Sequence, residues 1–135
     1  MPISIVKQYS VFLANKPGAL KHFADLFMKE NINILAIAED VRFDAAVIRI
    51  AVEDEQEIGH MLTQHGFTNV KTDAIRIDTP DRAGIIRDIG DVMEKKNINI
   101  TSVYGSGATA GRTTLIVVVN NITRAMSALE ASGLF

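Results

Sequence analysis

Residues 29–37 read "KENINILAI" and residues 95–103 read "KKNINITSV". The shared Asn-Ile-Asn-Ile returns after 66 residues. At that shift "NKPGALKHFADLFMKENINILAI" (15–37) lies on "DRAGIIRDIGDVMEKKNINITSV" (81–103), and 7 of the 23 pairs are identical, too many for one chance tetrapeptide. Gly18 meets Gly84, Asp25 meets Asp91 and Lys29 meets Lys95, while Lys16/Arg82, Leu20/Ile86, Leu26/Val92 and Ile37/Val103 keep their character. With one residue added, Leu62 then meets Leu129 and Gly66 meets Gly133. Two copies of a unit of about 65 residues make a duplicated small domain, since a solenoid needs three or more repeats.

Each copy reads alike. Tyr9, Val11 and Leu13, like Ile75 and Ile77, alternate with more polar neighbours as a half-buried strand does. A polar turn follows, then an apolar stripe at helical spacing: Leu20, Phe23, Ala24, Phe27 and Ile86, Ile89, Gly90, Met93. Asn15 and Asp81 stand where an N-cap belongs, and Pro17 suits a first helical turn. The repeated tetrapeptide reads as a helix-to-strand corner. Asn31 and Asn97 suit a left-handed helix end, Ile32 and Ile98 fold back on the last turn, and the second Asn-Ile starts a strand. Strand pairs are expected at 33–39 with 46–52 and at 99–105 with 113–119. A second helix follows in each copy. Asp54 caps the first, with Glu57 in a capping box, Ile58, Met61 and Leu62 buried and Gly66 as the stop. Asn121 caps the second, with Ala125, Ala128 and Leu129 buried and Gly133 as the stop.

The order β-α-β-β-α-β predicts an α+β fold of two ferredoxin-like modules, 1–73 and 74–135. Copy one closes with a fourth strand, "TNVKTD" (68–73), whereas copy two stops after its helix. At the same shift "PISIVK" (2–7) lies on 68–73, so the N-terminal segment is expected to supply the last strand of module two. A sheet left short would expose an unpaired edge.

Composition excludes several classes. Hydrophobic residues make up 47% of the chain, enough for a packed core, and a net charge of −2 without a Lys/Arg stripe argues against nucleic acid or anionic lipid as a partner. Without cysteine there is no disulfide, thiolate metal site or Cys nucleophile. The N-terminus does not read as a signal peptide, and the longest strongly apolar run, Leu115–Val119, is far below the ~20 residues of a membrane span. A cytoplasmic protein is expected.

The strand-to-helix turns "LANKPGAL" (13–20) and "TPDRAGII" (79–86) are the best candidate sites. Gly18 and Gly84 leave the backbone approachable, and a helix N-terminus offers unpaired N–H groups to a carboxylate. The plainer alternative is that these are only caps and tight turns. "YGSGATAGRTT" (104–114) matches no phosphate-loop pattern and reads as a hairpin loop able to act as a lid. Its counterpart carries Glu39, Asp40 and Asp44, which could suggest a metal but read rather as a solvated hairpin tip. His60 and His65 are five apart and miss metal-ligand spacing on one helical face; His22 either lines the first turn or lies on the surface. No nucleophile triad or carboxylate pair is announced by a local motif. "LIVVV" (115–119) is apolar on both strand faces, and Phe12 is out of phase with Val11 and Leu13. The face away from the helices is therefore expected to be covered, by a homodimer or from within the monomer.

These residues resemble the ACT domain family, ferredoxin-like modules that bind amino acids and regulate metabolism. The resemblance covers nearly the whole chain as two copies. It rests on the Asn-x-Pro-Gly-x-Leu turn at 15–20, the amphipathic helix and the NINI corner. Copy two departs from it with Asp81 for the Asn and Ala83 for the Pro. The resemblance implies modules side by side with an amino acid held where they meet. Carried over by position, the site is Asn15, Pro17, Gly18, Ala19 and Leu20, with Asp81, Ala83, Gly84, Ile85 and Ile86. Ile37 and Ala38, and Val103 and Tyr104, stand opposite. One site or two per chain both fit.

The implied function is a non-catalytic amino-acid sensor without cofactor or metal, regulating amino-acid metabolism. The alternative is a regulatory subunit with an enzyme partner, such as a branched-chain amino-acid biosynthetic enzyme. Catalysis lacks a supporting motif. RNA recognition lacks aromatic residues in "AAVIRIAV" and "TTLIVVV" on which bases would stack.

Overall fold

The computed structural model describes residues 2–42, 45–53, 56–107 and 109–135. In chain order its elements are β1 (Ile3–Ala14), α1 (Ala19–Lys29), β2 (Ala36–Arg42), β3 (Ala45–Val52), α2 (Gly59–Gln64), β4 (Asn69–Pro80), α3 (Ile85–Lys95), β5 (Ile100–Gly105), β6 (Arg112–Val119) and α4 (Ile122–Ala131). The chain falls into two compact units, Lys7–Thr72 and Met1–Val6 with Asp73–Phe135.

Within Lys7–Thr72 the strands run β2-β3-β1, antiparallel, with β4 beyond β1. Phe12 N–H donates to Thr68 O at 3.0 Å on that far side. Cross-strand partners share a face, so Tyr9, Ile50 and Ile37 form one row and Val11 and Ile48 the next. Helices α1 and α2 bury this face. Phe23, Leu26, Phe27 and Leu62 pack with Tyr9, Val11, Leu13, Ile48 and Ile50 in one core. The expected stripe was partly misphased: Ala24 is exposed and Leu20 half-exposed, because the inward face runs through Phe23, Leu26 and Phe27.

The NINI corner ends α1 in a double hydrogen bond. Asn31 sits at φ 55°. Its N–H donates to Met28 O at 3.1 Å, and Ile32 N–H reaches Phe27 O at 3.0 Å. The same pair closes α3: Asn97 at φ 54°, Asn97 N–H to Glu94 O at 3.0 Å and Ile98 N–H to Met93 O at 2.9 Å. This pattern satisfies carbonyls that a helix end would leave orphaned. Asparagine is tolerated there because its short polar side chain lowers the strain of positive φ. We expect Asn31→Ala and Asn97→Ala each to lower stability by about 1 kcal/mol, and Asn→Gly to be neutral or better, in urea unfolding. After the corner β5 starts at Ile100, close to expectation. In copy one the strand is delayed to Ala36, and Leu35 N–H is the first to pair, with Ala51 O at 2.8 Å.

Helix α2 also starts later than the sequence predicts, at Gly59 with Ile58 as N-cap. Asp54, the expected cap, lies outside the described residues. Glu57 precedes the N-cap Ile58. Its carboxylate accepts from the Tyr9 hydroxyl at 3.0 Å and from Lys71 Nζ at 3.0 Å. The buried Tyr9 oxygen accepts in turn from Ile58 N–H at 3.3 Å. A tertiary partner thus replaced a local one. Burial pushes the Tyr9 hydroxyl above its usual pKa, whereas hydrogen bonds from Lys71 and then Tyr9 hold the Glu57 carboxyl below its own.

In the other unit the order is β5-β6-β4, antiparallel, with β1 beyond β4. Asp78 N–H donates to Pro2 O at 2.8 Å, and Ile3 joins the core formed by Ile75, Ile77, Ile89, Met93, Leu115 and Leu129. Asn121 caps α4 through Oδ1, which accepts from Arg124 N–H at 3.1 Å. Ile116 pairs with Arg76 and Tyr104 on the face away from the helices, yet it is fully buried, as is nearly all of Val118. The chain covers its own LIVVV run, so this run needs no second copy. Phe12 by contrast is 45% exposed.

No helix among the described residues is long and apolar enough to cross a membrane. Nor do the described residues contain a group of three or more His, Cys, Asp or Glu fit for a metal. Asp44 of the acidic hairpin lies outside them.

Candidate functional site

The first strand-to-helix turn is built around Gly18. Lys16 N–H donates back to Ala14 O at 3.0 Å and Ala19 N–H to Lys16 O at 3.3 Å. Gly18 itself is the N-cap, at φ 86°, with no side-chain cap bond. Asn15 and Pro17 therefore precede the helix and do not cap or open it, which corrects the sequence reading. A Cβ on Gly18 would meet nothing within 4 Å, so backbone angle, not crowding, requires glycine. The first N–H groups of α1 have no acceptor inside the helix and carry the positive end of its dipole.

Beside this turn lies a cleft of about 420 Å³, within the usual size of small-molecule sites. Lys16, Pro17, Gly18 and Ala19 form one wall. The end of β1, Phe12 to Ala14, forms another, and His22, Gly66 and Phe67 complete it. Phe67 is 8% exposed and stands edge-on to Phe23, centroids 5.6 Å apart at 89°. The His22 ring lies 5.8 Å from Phe67. The cleft therefore joins an aromatic wall to a polar mouth, and none of its lining residues is acidic.

The second turn repeats the backbone. Gly84 sits at φ 87°, and Asp88 N–H donates to Gly84 O at 2.9 Å as His22 N–H does to Gly18 O at 3.0 Å. Asp81 does not cap; its N–H donates to Gly111 O at 2.8 Å. The side chains differ. Arg82 folds back over the turn, with Nη1 donating to Ala83 O at 3.3 Å and Nη2 to the Asp88 carboxylate at 2.7 Å. This bond from Arg82, helped by Arg87, holds the Asp88 carboxyl below the usual carboxylate pKa.

Of the residues singled out from sequence, Pro17, Gly18 and Ala19 share the cleft. Asn15 lies in the bend before it, and Leu20 points outward, half-exposed. In the second turn Ala83 and Gly84 are exposed, Ile85 is sunk in the core and Ile86 is 56% exposed. Ile37 and Ala38 lie on β2, level with Tyr9 and Ser10 and so not at the Ala14 end of β1. Val103 and Tyr104 lie on β5. The sequence reading allows His22 to line this turn, names Phe12 and Gly66 for other reasons, and misses Phe67. The missed signal is a helix stop followed by an aromatic: Gly66 at φ 82° ends α2, and Phe67 N–H closes onto Leu62 O at 2.9 Å.

Residues 4–132 match the family model described as an ACT domain pair. Similar solved structures include a protein of Bacteroides thetaiotaomicron, 24% identical with a TM-score of 0.85, covering 97% of this chain and 90% of that one. The regulatory subunit of aspartate kinase from Thermus thermophilus is 11% identical with a TM-score of 0.67, covering 98% and 95%. That from Thermus flavus is 12% identical with a TM-score of 0.62, also covering 98% and 95%. No curated protein sequence matches the chain.

Proposed function

This chain belongs to the ACT domain pair family, and from that premise we propose that it is a non-catalytic regulatory sensor of amino acids in the cytoplasm. The observation that carries the reading is the cleft of about 420 Å³ against the Gly18 turn. An amino acid places its carboxylate on the N–H groups opening α1 and its side chain against Phe12, Leu13 and Phe67. Asn15 and Leu20 flank it. Ile37, Ala38, Val103 and Tyr104 remain, as part of this proposal, residues that the family resemblance assigns to ligand binding. The second turn, at Asp81, Ala83, Gly84, Ile85 and Ile86, is the weaker site, because Arg82 folds across it. Half-exposed Phe12 supports self-association as a homodimer.

A second reading, a regulatory subunit held by a metabolic enzyme, draws support from one observation. The chain and the aspartate kinase regulatory subunit of Thermus thermophilus cover one another almost end to end.

A thermal-shift screen against the twenty amino acids tests the first reading. A ligand that binds only the folded state stabilises it by about 2.7 kcal/mol at 100 times its Kd. We expect one or a few amino acids to raise Tm, and the shift to vanish in Phe67→Ala. No shift with any amino acid would favour the enzyme-bound subunit, and co-purification of a partner would then decide.

A further inference from the structure

The duplication supplies an internal control for the cleft. At the 66-residue shift Lys16 matches Arg82 and His22 matches Asp88. In the second turn these positions close on each other as cation and carboxylate, at 2.7 Å. In the first turn both positions carry nitrogen bases, Lys16 and His22, and both line the cleft. The nearest carboxylate on the same helix, Asp25, is already engaged by Lys21 at 2.9 Å. Among the described residues Lys16 is in no ion pair. The first half thus keeps the cation of the clasp and lacks its anion, and a cleft adjoins the gap.

We infer that a ligand carboxylate takes the place in the first half that Asp88 fills in the second, and that the ligand is a dicarboxylic amino acid of the aspartate or glutamate class. This rests on the reading of the cleft as an amino-acid site. One carboxylate sits on the opening N–H groups of α1. The other is bound by Lys16 Nζ and the His22 ring. Phe12, Leu13 and Phe67 take the short methylene chain between them. A charge-assisted hydrogen bond is about twice as strong as a neutral one, so the acid is preferred to its own amide. The second half carries its own carboxylate and is closed to the same ligand.

Calorimetric titration of the full chain with aspartate, glutamate, asparagine, glutamine and leucine tests this. We expect an acid to bind at least about tenfold tighter than its amide. Lys16→Met removes that preference. His22→Asp, which restores the clasp of the other half, abolishes binding of the acid. Asp88→Asn frees Arg82 and adds a second binding event for the acid. Equal affinity for acid and amide, or a preference that survives Lys16→Met, overturns the inference and leaves the amino-acid site standing. Binding of none of the five overturns the inference, and the screen against all twenty amino acids then decides whether the site falls with it.

Discussion

A chain lacking residues 2–6 loses the fold of its Asp73–Phe135 unit while Lys7–Thr72 stays folded. The deleted residues belong by contact to the far end of the sequence. Ile3 and Val6 are 4% and 1% exposed, and Ile3 packs with Ile75, Ile77 and Met93. Burial of each side chain contributes about 1.5–3 kcal/mol. Backbone bonds such as Asp78 N–H to Pro2 O, at 2.8 Å, add about 1 kcal/mol each. The loss reaches about 5 kcal/mol, the whole stability of a marginal domain. Removing the segment also strips one side of β4, an edge that invites aggregation. Amide hydrogen exchange reads the result unit by unit. Protection should vanish at Ile75, Ile77 and Leu115–Val117 and persist at Val11, Ile48 and Ile50. Unchanged protection at Ile75 and Val117 would show that the segment is dispensable. Ile3→Ala is the graded version, with an expected loss of about 2–5 kcal/mol.

What could be read from sequence follows how local its cause is. The NINI corners involve a helix end and its next two residues, and their Asn and Ile take the expected places at 31–32 and 97–98. The Asn121 cap is equally local. The helix starts misled because two local rules compete. Asn15 and Asp81 are favoured N-caps by residue type, but Gly18 and Gly84 at positive φ turn the chain later and start the helices there. That delay exposes Leu20 and Ile86 and brings Leu26 and Ile85 into the buried stripe. Glu57 fits a capping box in sequence and instead meets Tyr9 and Lys71, residues that no window of sequence brings together. The cleft is half legible for the same reason. Its Pro-Gly-Ala wall is contiguous, whereas Phe67 arrives from the end of another helix. The apolar run of β6 correctly signalled two covered faces but not what covers them, since Ile116 and Val118 are buried in a single chain.

Phe23→Ala should have the second large effect, on stability and on binding together. The ring is 1% exposed and lies in the α1 stripe. It lies against Phe27, centroids 4.7 Å apart and planes tilted by 39°, and meets Phe67 edge-on at 5.6 Å. Removing a buried phenyl ring costs about 3–5 kcal/mol, because the transfer term is joined by a cavity the neighbours only partly fill. The aromatic pairs lost with it, about 0.5–1.5 kcal/mol each, are part of that cost and place it toward the upper end. Phe67 is also a wall of the cleft. With Phe23 gone its ring is free to lean into the void, away from His22 and Pro17. Ligand affinity should therefore fall even under conditions where the variant is fully folded, as checked by circular dichroism before titration. Phe23→Leu separates the two effects. It keeps most of the volume, so stability falls by less than in the alanine variant, but it removes the edge-to-face partner that orients Phe67. Weakened binding in the leucine variant, out of proportion to its lost stability, would mean that core packing sets the shape of the site. A leucine variant that binds as tightly as the parent would mean that Phe67 is held in place by its backbone bond to Leu62 O at 2.9 Å alone.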